Sequence, residues 1–199
     1  LPWDESVCVP LLVRCPAICG DAGRVVRTPL TTPDILPSLL SLAGVAVPDA
    51  VEGDDLSHLL KGGGSDEGDG DEESSAGRAA LFMCVAPFGA DDFKAYRGVR
   101  SARHTYVRDS DGPWLLYDNQ RDPWQRDNLI GRADCADVQA HLEAELKSQL
   151  DRIGDRFPSA GEAIAQWGYT VNPSGEIPYC GEFRVQSPRG GSKELCRFS

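Results

Sequence analysis

The first pattern along the chain is a short, continuous apolar run, Val9-Pro10-Leu11-Leu12-Val13-Arg14. A run of this length with no polar alternation predicts a strand buried on both faces, as in a parallel sheet. Pro16 ends it, and Gly20 to Gly23 reads as loop. A helix follows, with Thr32 and Pro33 as its start signal, Asp34 in its first turn and Gly44 closing it. Ile35, Leu36, Leu39, Leu40, Leu42 and Ala43 give this helix a broad apolar face. Pro37 predicts an irregular first turn, with regular helix beginning there. Asp54 to Leu60 reads as a second, short helix.

The period changes in the second half of the chain. Ala80 to Val85, Ala95 to Arg100, His104 to Asp109 and Trp114 to Tyr117 read as strands, with Tyr96, Val99, Tyr106 and Val107 as strand formers. Asp109-Ser110-Asp111-Gly112 is a turn sequence. The short connections predict an antiparallel meander. Val138, Leu142, Leu146, Leu150 and Ile153 then recur at helical spacing, so a helix from about Asp134 to Arg152 should pack on one sheet face.

Between the two halves lies a stretch of Gly, Ser and acids, residues 62–77, without a large apolar side chain. It cannot repay the entropy of ordering and reads as a flexible acidic loop. After Gly154 the chain turns Gly- and Pro-rich, and an extended tail is expected over residues 156–199.

Composition sharpens this picture in three ways. The 199 residues carry 20 Lys and Arg against 31 Asp and Glu, a net charge of −11, which argues against sequence-independent binding to nucleic acid. Six of those acids fall in Asp66–Glu73, so the folded part is less acidic than the total. No apolar run approaches the ~18–20 residues of a membrane span. The seven cysteines (Cys8, Cys15, Cys19, Cys84, Cys135, Cys180 and Cys196) are odd in number, so at least one has no disulfide partner within the chain.

No complete catalytic machinery stands in the residues themselves. Gly64-Ser65-Asp66 lacks the second half of a nucleophile elbow. Cys15 and Cys19 have a spacing that a metal uses, but no second Cys/His pair accompanies them. The acidic loop fails the calcium-loop pattern, having Ser74 where the sharp-turn Gly should stand. His58 and His141 fall on predicted helices. His104 opens a strand beside Arg97, Arg100, Arg103 and Arg108, a cluster of positive charge in an acidic protein. Such a cluster either meets an anionic group such as sulfate or pairs with nearby acids, for which Asp91, Asp92, Asp109, Asp111 and Asp118 are at hand.

Five segments in order resemble the C-terminal part of the formylglycine-dependent (type I) sulfatases of the alkaline phosphatase superfamily. Pro2-Trp3-Asp4-Glu5-Ser6-Val7-Cys8-Val9-Pro10-Leu11-Leu12 is similar to the family's "p-y-E-E-S-i-R-V-P-L-i", with Cys8 where Arg is usual. Asp34-Ile35-Leu36-Pro37-Ser38-Leu39-Leu40-Ser41-Leu42-Ala43-Gly44 resembles "D-l-l-P-T-l-l-d-l-A-G", and Val51-Glu52-Gly53-Asp54-Asp55-Leu56 resembles "v-q-G-r-S-L". Tyr96-Arg97-Gly98-Val99-Arg100-Ser101 with Tyr106-Val107-Arg108 looks like "y-r-g-v-R-T…Y-v-r". Leu116-Tyr117-Asp118 with Asp122-Pro123-Trp124-Gln125-Arg126-Asp127-Asn128-Leu129 looks like "L-Y-D…D-P-y-e-l-n-N-L".

The resemblance implies an α/β fold: the end of a large mixed-sheet sulfatase domain, then a small four-stranded antiparallel sheet packed on a C-terminal helix. Residues 1–61 would be the last strand and helices of the large domain, 62–77 the acidic loop, 78–155 the sheet-and-helix subdomain and 156–199 the tail. It implies a sulfuric ester hydrolase acting on a sulfated carbohydrate or aryl sulfate, with this chain its C-terminal portion and inactive alone. A phosphodiesterase or phosphonate hydrolase of the same superfamily, and a non-catalytic interaction module, are the alternatives. The implied cofactors are calcium and formylglycine, whose ligands and parent Cys-x-Pro-x-Arg motif belong upstream. Cys8-Val9-Pro10-Leu11-Leu12 copies only the first half of that motif. By position, Trp3, Glu5 and His104 are the residues expected to line a substrate pocket. The implied ligand is a sulfated small molecule or glycan, and the implied setting a periplasmic, secreted or lysosome-like compartment.

Overall fold

The computed structural model describes residues 1–21, 23–61, 77–85 and 94–171. Most of the predicted acidic loop, the acids Asp91 and Asp92, and the tail from 172 onward with Cys180 and Cys196 lie outside the described residues.

The second half is the meander that the alternation predicts. Strands β1 (Ala80–Cys84), β2 (Tyr96–Arg100), β3 (His104–Asp109) and β4 (Gly112–Asp118) form one antiparallel sheet in the order β1-β2-β3-β4. The register is set by Val99 opposite Tyr106 and Tyr106 opposite Leu116. It shifts between Val107 and Arg108, where Trp114 has no partner across the ladder, and a bulge of this kind re-aims a side chain. Gly98 is required by close packing. A Cβ there would stand 2.6 Å from Cζ of Phe82 and 2.9 Å from the Tyr106 carbonyl oxygen.

Helix α4 (Ala136–Ile153) covers one face of this sheet and ends on Gly154 in the left-handed region at φ 69°. Its Leu142, Leu146 and Leu150, one helical turn apart, are buried with Ala79, Val99, Tyr106 and Leu116, while Val138 packs at the margin. Ile153, the last position of the predicted stripe, is half exposed because the helix has run past the sheet. On the opposite face Tyr96, Val107, Leu115 and Tyr117 form a second cluster with Trp3, Phe82, Cys84 and Trp114.

The arginines of the meander are ion-paired, but largely with distant acids. Arg97, wholly buried, donates from Nε to Asp155 at 2.5 Å and from Nη1 to the carbonyls of Cys84 and Tyr96. Arg108 pairs with Glu143 of α4, which also accepts the Tyr106 hydroxyl. Arg100 pairs with Asp4, and Lys94 takes Asp109. Among the described residues, Arg103 is the one of these four arginines that pairs with a neighbouring acid anticipated, Asp118.

The first half departs from expectation in instructive ways. Val9–Arg14 is not a strand: residues 8–15 are irregular, and Leu12 is 94% exposed. A strand is completed by a neighbour, and among the described residues none lies beside this one. Short helical turns α1 (Asp4–Val7) and α2 (Pro16–Cys19) flank it. Helix α3 (Thr32–Leu42) starts five residues before Pro37, not at it. Pro37 lies inside the helix and offers no N–H to the Pro33 carbonyl; that carbonyl lies against Gly53, where a Cβ would come within 2.1 Å of its oxygen.

The buried residues of α3 are Asp34, Pro37 and Ser38, two of them polar. Asp34 accepts from the Thr31 backbone and hydroxyl, from the Asp54 backbone and from Arg78, and Ser38 accepts from the Leu56 backbone. Leu36 and Leu39 of the apolar face are exposed. Where a second helix was expected there is one turn of 3-10 helix, Ser57–Leu59. The expected tail also holds a helix, α5 (Ala160–Trp167), begun by a Ser159/Glu162 capping box.

Candidate functional site

The region where the sequence expects substrate to be met lies where α1 is seated on the sheet. A four-residue helix has no stability of its own, and α1 is held by tertiary bonds. Asp4 is clamped by Arg100, whose Nε reaches Oδ1 at 3.2 Å and whose Nη2 reaches Oδ2 at 3.1 Å. Gln125, 6% exposed, completes the clamp. Its Oε1 accepts the Asp4 backbone N–H at 2.9 Å, and its Nε2 donates to Asp4 Oδ1 at 3.1 Å and to Asn119 Oδ1 at 2.8 Å. Asn119 in turn donates to the Thr105 hydroxyl and the Arg103 carbonyl. Each member of this network is satisfied by another, the condition under which buried polar groups stiffen a site. Gln125 reaches inward from a backbone at φ 50°, a conformation that costs a non-glycine residue and persists only where its surroundings hold it.

The three substrate-contact candidates sit in different surroundings. Trp3 donates from its indole N–H to the Tyr117 hydroxyl at 3.4 Å and meets Trp114 edge-on, ring centroids 6.2 Å apart. Glu5, one residue past the clamped Asp4, is exposed. His104 is half-buried, with Nε2 4.0 Å from Asp118. Strand alternation places it on the Tyr106 face with α4, opposite to Trp3. The structure therefore does not gather these three on one face.

Asp118 organises the His104 side. It accepts from Arg103 at 2.8 and 3.1 Å and from the backbone of Gln120 and Arg121, with Arg121 Nε 3.7 Å away. Burial by itself raises the Asp118 pKa, but the Arg103 bonds, the backbone donors and the neighbouring positive charge outweigh it and hold the carboxyl below its ordinary range. For His104, burial lowers the pKa against the attraction of Asp118, and the charges of Arg103, Arg100 and Arg121 lower it further. His104 is thus a neutral ring at pH 7. Cys8, where the family usually has Arg, is exposed and not packed as a small buried hydrophobe; desolvation and the Asp4 charge push its thiol up.

The residues that position this site were not singled out from the sequence. Asp4 and Gln125 stand in motifs quoted above and Asn119 directly follows one, but their bonds join positions up to 121 residues apart, and no local pattern marks them.

A family model described as N-sulphoglucosamine sulphohydrolase, C-terminal, matches residues 1–152. The chain belongs to this sulfatase family. It is 39% identical over 94% of its length to the ulvan-active sulfatase of Formosa agariphila, covering 36% of that protein. It is 26% identical over 81% of its length to an N-acetylglucosamine-6-O-sulfatase of Bacteroides thetaiotaomicron, covering 28% of it. Among solved structures, that of BT4656 with its substrate D-glucosamine-2-N,6-O-disulfate superposes with a TM-score of 0.50 at 25% identity, over 62% of this chain and 24% of that one. The chain spans about a third of the length of the curated relatives it matches.

Calcium and formylglycine, the groups the family implies, do not fit the described residues. Among the described residues no three His, Cys, Asp or Glu side chains are grouped to hold a metal ion. Leu12 stands where a formylglycine motif beginning at Cys8 would need Arg. Among the described residues no helix is long and apolar enough to cross a membrane.

Proposed function

We propose that the polypeptide to which this chain belongs hydrolyses sulfate esters of a carbohydrate, and that this portion borders the substrate without supplying the reacting groups. The observation that carries the reading is the 39% identity, over nearly the whole chain, to a sulfatase named for its action on ulvan. In this reading α1 and the Gln125 turn form one wall of the substrate cleft. Glu5 is the contact residue this reading favours, because it is exposed on a turn whose preceding residue, Asp4, is clamped. Trp3 contributes by fixing that turn through Trp114 and Tyr117. His104 offers a neutral imidazole to a sugar hydroxyl from the other side of β3. Calcium and formylglycine would be supplied by sequence outside this chain. A polysaccharide substrate places the work outside the cytoplasm, in a periplasmic, secreted or lysosome-like compartment.

The test is sulfate release measured by ion chromatography from the longer polypeptide, carrying its upstream sequence and matured, on ulvan. The same preparation is assayed on an aryl sulfate and on a phosphonate monoester. Release from ulvan, with slower turnover of the phosphonate, is expected, and the 199-residue chain alone should release none. Faster turnover of the phosphonate, or an upstream sequence without Cys-x-Pro-x-Arg or Ser-x-Pro-x-Arg, would overturn the reading.

A further inference from the structure

Helix α1 has no side-chain cap of its own, and the group that serves as one comes from the turn after β4. Trp3, at the N-cap, makes no side-chain bond to the helix, while its carbonyl accepts the amides of Ser6 and Val7. The amide of Asp4, first residue of the helix, has no acceptor within it, and Gln125 Oε1 accepts it at 2.9 Å. The nitrogen of the same side chain faces three oxygens. Nε2 lies 3.1 Å from Asp4 Oδ1, 2.8 Å from Asn119 Oδ1 and 3.4 Å from the Thr105 hydroxyl. One orientation of the amide therefore pairs donors with acceptors, and a flipped amide would set oxygen against the Asp4 and Asn119 oxygens. A carboxylate of the same length would still accept the Asp4 amide, but it would bring a second negative charge against Asp4 in a buried place. Arg100 is already engaged, with Nε and Nη2 on Asp4 and Nη1 on the Ser101 carbonyl. Position 125 thus calls for a side chain of this length that both accepts and donates and carries no charge.

We propose that Gln125 is a positioning residue, which seats α1 on the sheet and must be uncharged to do so. Its bond to the Asp4 N–H fixes the backbone of the helix, where Arg100 fixes a side chain. The turn that presents it is itself held. Gln125 N–H donates to the Asp122 carbonyl, and the Asp122 carboxylate accepts the backbone N–H groups of Arg126 and Asp127. Trp3 and Glu5 stand on either side of the residue Gln125 grips, so a shift of Asp4 carries both. The consequence for substrate rests on the sulfatase reading proposed above. With α1 bordering the substrate and the reacting groups elsewhere, loss of the Gln125 amide raises KM and leaves kcat near the parent value.

The experiment compares Gln125→Glu and Gln125→Ala with the parent sequence in two measurements. In the 199-residue chain, hydrogen exchange read by mass spectrometry follows the amides of Ser6, Val7 and Cys8, which bond the carbonyls of Trp3 and Asp4. At about pH 7.5 both variants should exchange there about tenfold faster than the parent, with β2 and β3 unchanged. At about pH 5.5, where a carboxyl set against Asp4 takes up a proton, Gln125→Glu should return most of the way to the parent rate and Gln125→Ala should not. The ionisable groups of the cluster, Asp4, Arg100 and Cys8, are common to all three sequences, so the ratio to the parent at each pH isolates the new carboxyl. In the longer, matured polypeptide, Gln125→Glu should raise KM for ulvan about tenfold with kcat within about twofold, and acidification should narrow the gap in the same way. Gln139→Glu makes the same change of charge on α4, where Oε1 accepts the Gly131 N–H, and it should alter neither measurement. Parent exchange rates at α1 in Gln125→Glu, an effect equal at both pH values, or an unchanged KM in an active polypeptide would overturn the proposal. Faster exchange at α1 with no sulfate released by the parent polypeptide would support the seating of α1 by Gln125 and retire the sulfatase reading instead.

Discussion

His104 shows how a single side chain records its surroundings. Burial and the charges of Arg103, Arg100 and Arg121 hold its pKa below the ordinary 6.5, and Asp118, the carboxylate facing it, only partly offsets them. Between the depressed value and 6.5 the unfolded chain binds more protons than the folded one. The stability due to this ring is therefore present above 6.5 and is lost as pH falls through the folded value. Asp118, Asp34 and Asp155, whose pKa values are also lowered, lose their share at lower pH. Comparing urea midpoints at about pH 7.5 and about pH 5.5 isolates the histidine. The parent chain should lose stability between them, and His104→Gln should lose measurably less. An identical drop in both would show that His104 does not titrate anomalously.

At the scale of elements, what was legible depended on whether a segment carries its own partners. The meander was, because Val99, Tyr106 and Leu116 alternate and their neighbours follow within a few residues. Helix α4 was, because its leucines face that sheet. The run Val9–Arg14 has strand composition but, among the described residues, no strand beside it, and a strand is a property of a pair. Helix α5 was not legible for a different reason: it is short and follows the loop residues Gly154 and Pro158, with the Ser159 and Glu162 capping pair as its one start signal. The arginine pairs were legible as a class but not as pairs, since Arg97 finds Asp155 58 residues away and Arg100 finds Asp4 96 residues away.

Helix α3 supplies the prediction at this scale. Gly53 lies so close to the Pro33 carbonyl that any side chain must displace the 51–56 segment, whose backbone N–H groups bond Asp34 and Ser38. Gly53→Ala should cost about 3 kcal/mol, the upper end of overpacking, while Glu52→Ala, an exposed neighbour, should be near neutral. Thermal midpoints measured side by side decide it, and equal midpoints would show that the segment yields to the extra carbon.

For the whole molecule, stability is unevenly distributed, and this follows from where apolar surface is buried. The sheet has a cluster on each face, and its charged anchors, Arg97 with Asp155 and Arg108 with Glu143, tie it to α4 and the segment beyond. Breaking a buried pair of the Arg97 kind leaves a stranded charge, so the unit opens only as a whole. Residues 1–61 are held mainly by hydrogen bonds to Asp34 and Ser38 and by the Asp4 clamp, while Val9, Leu11, Leu36 and Leu39 face outward. Local opening is easiest where few apolar contacts are made. Limited trypsin digestion should therefore cut first at Arg14, Arg24 and Arg27, leaving residues 79–153 intact for much longer, and mass spectrometry of the fragments reads the order. In hydrogen exchange, the amides of β2 and β3 should outlast those of α3. Equal protection of both halves would mean that the first 61 residues carry a core of their own. Unequal protection would leave the C-terminal sheet and α4 as the rigid frame on which α1 and the Gln125 turn are mounted, which is the arrangement the proposed substrate wall requires.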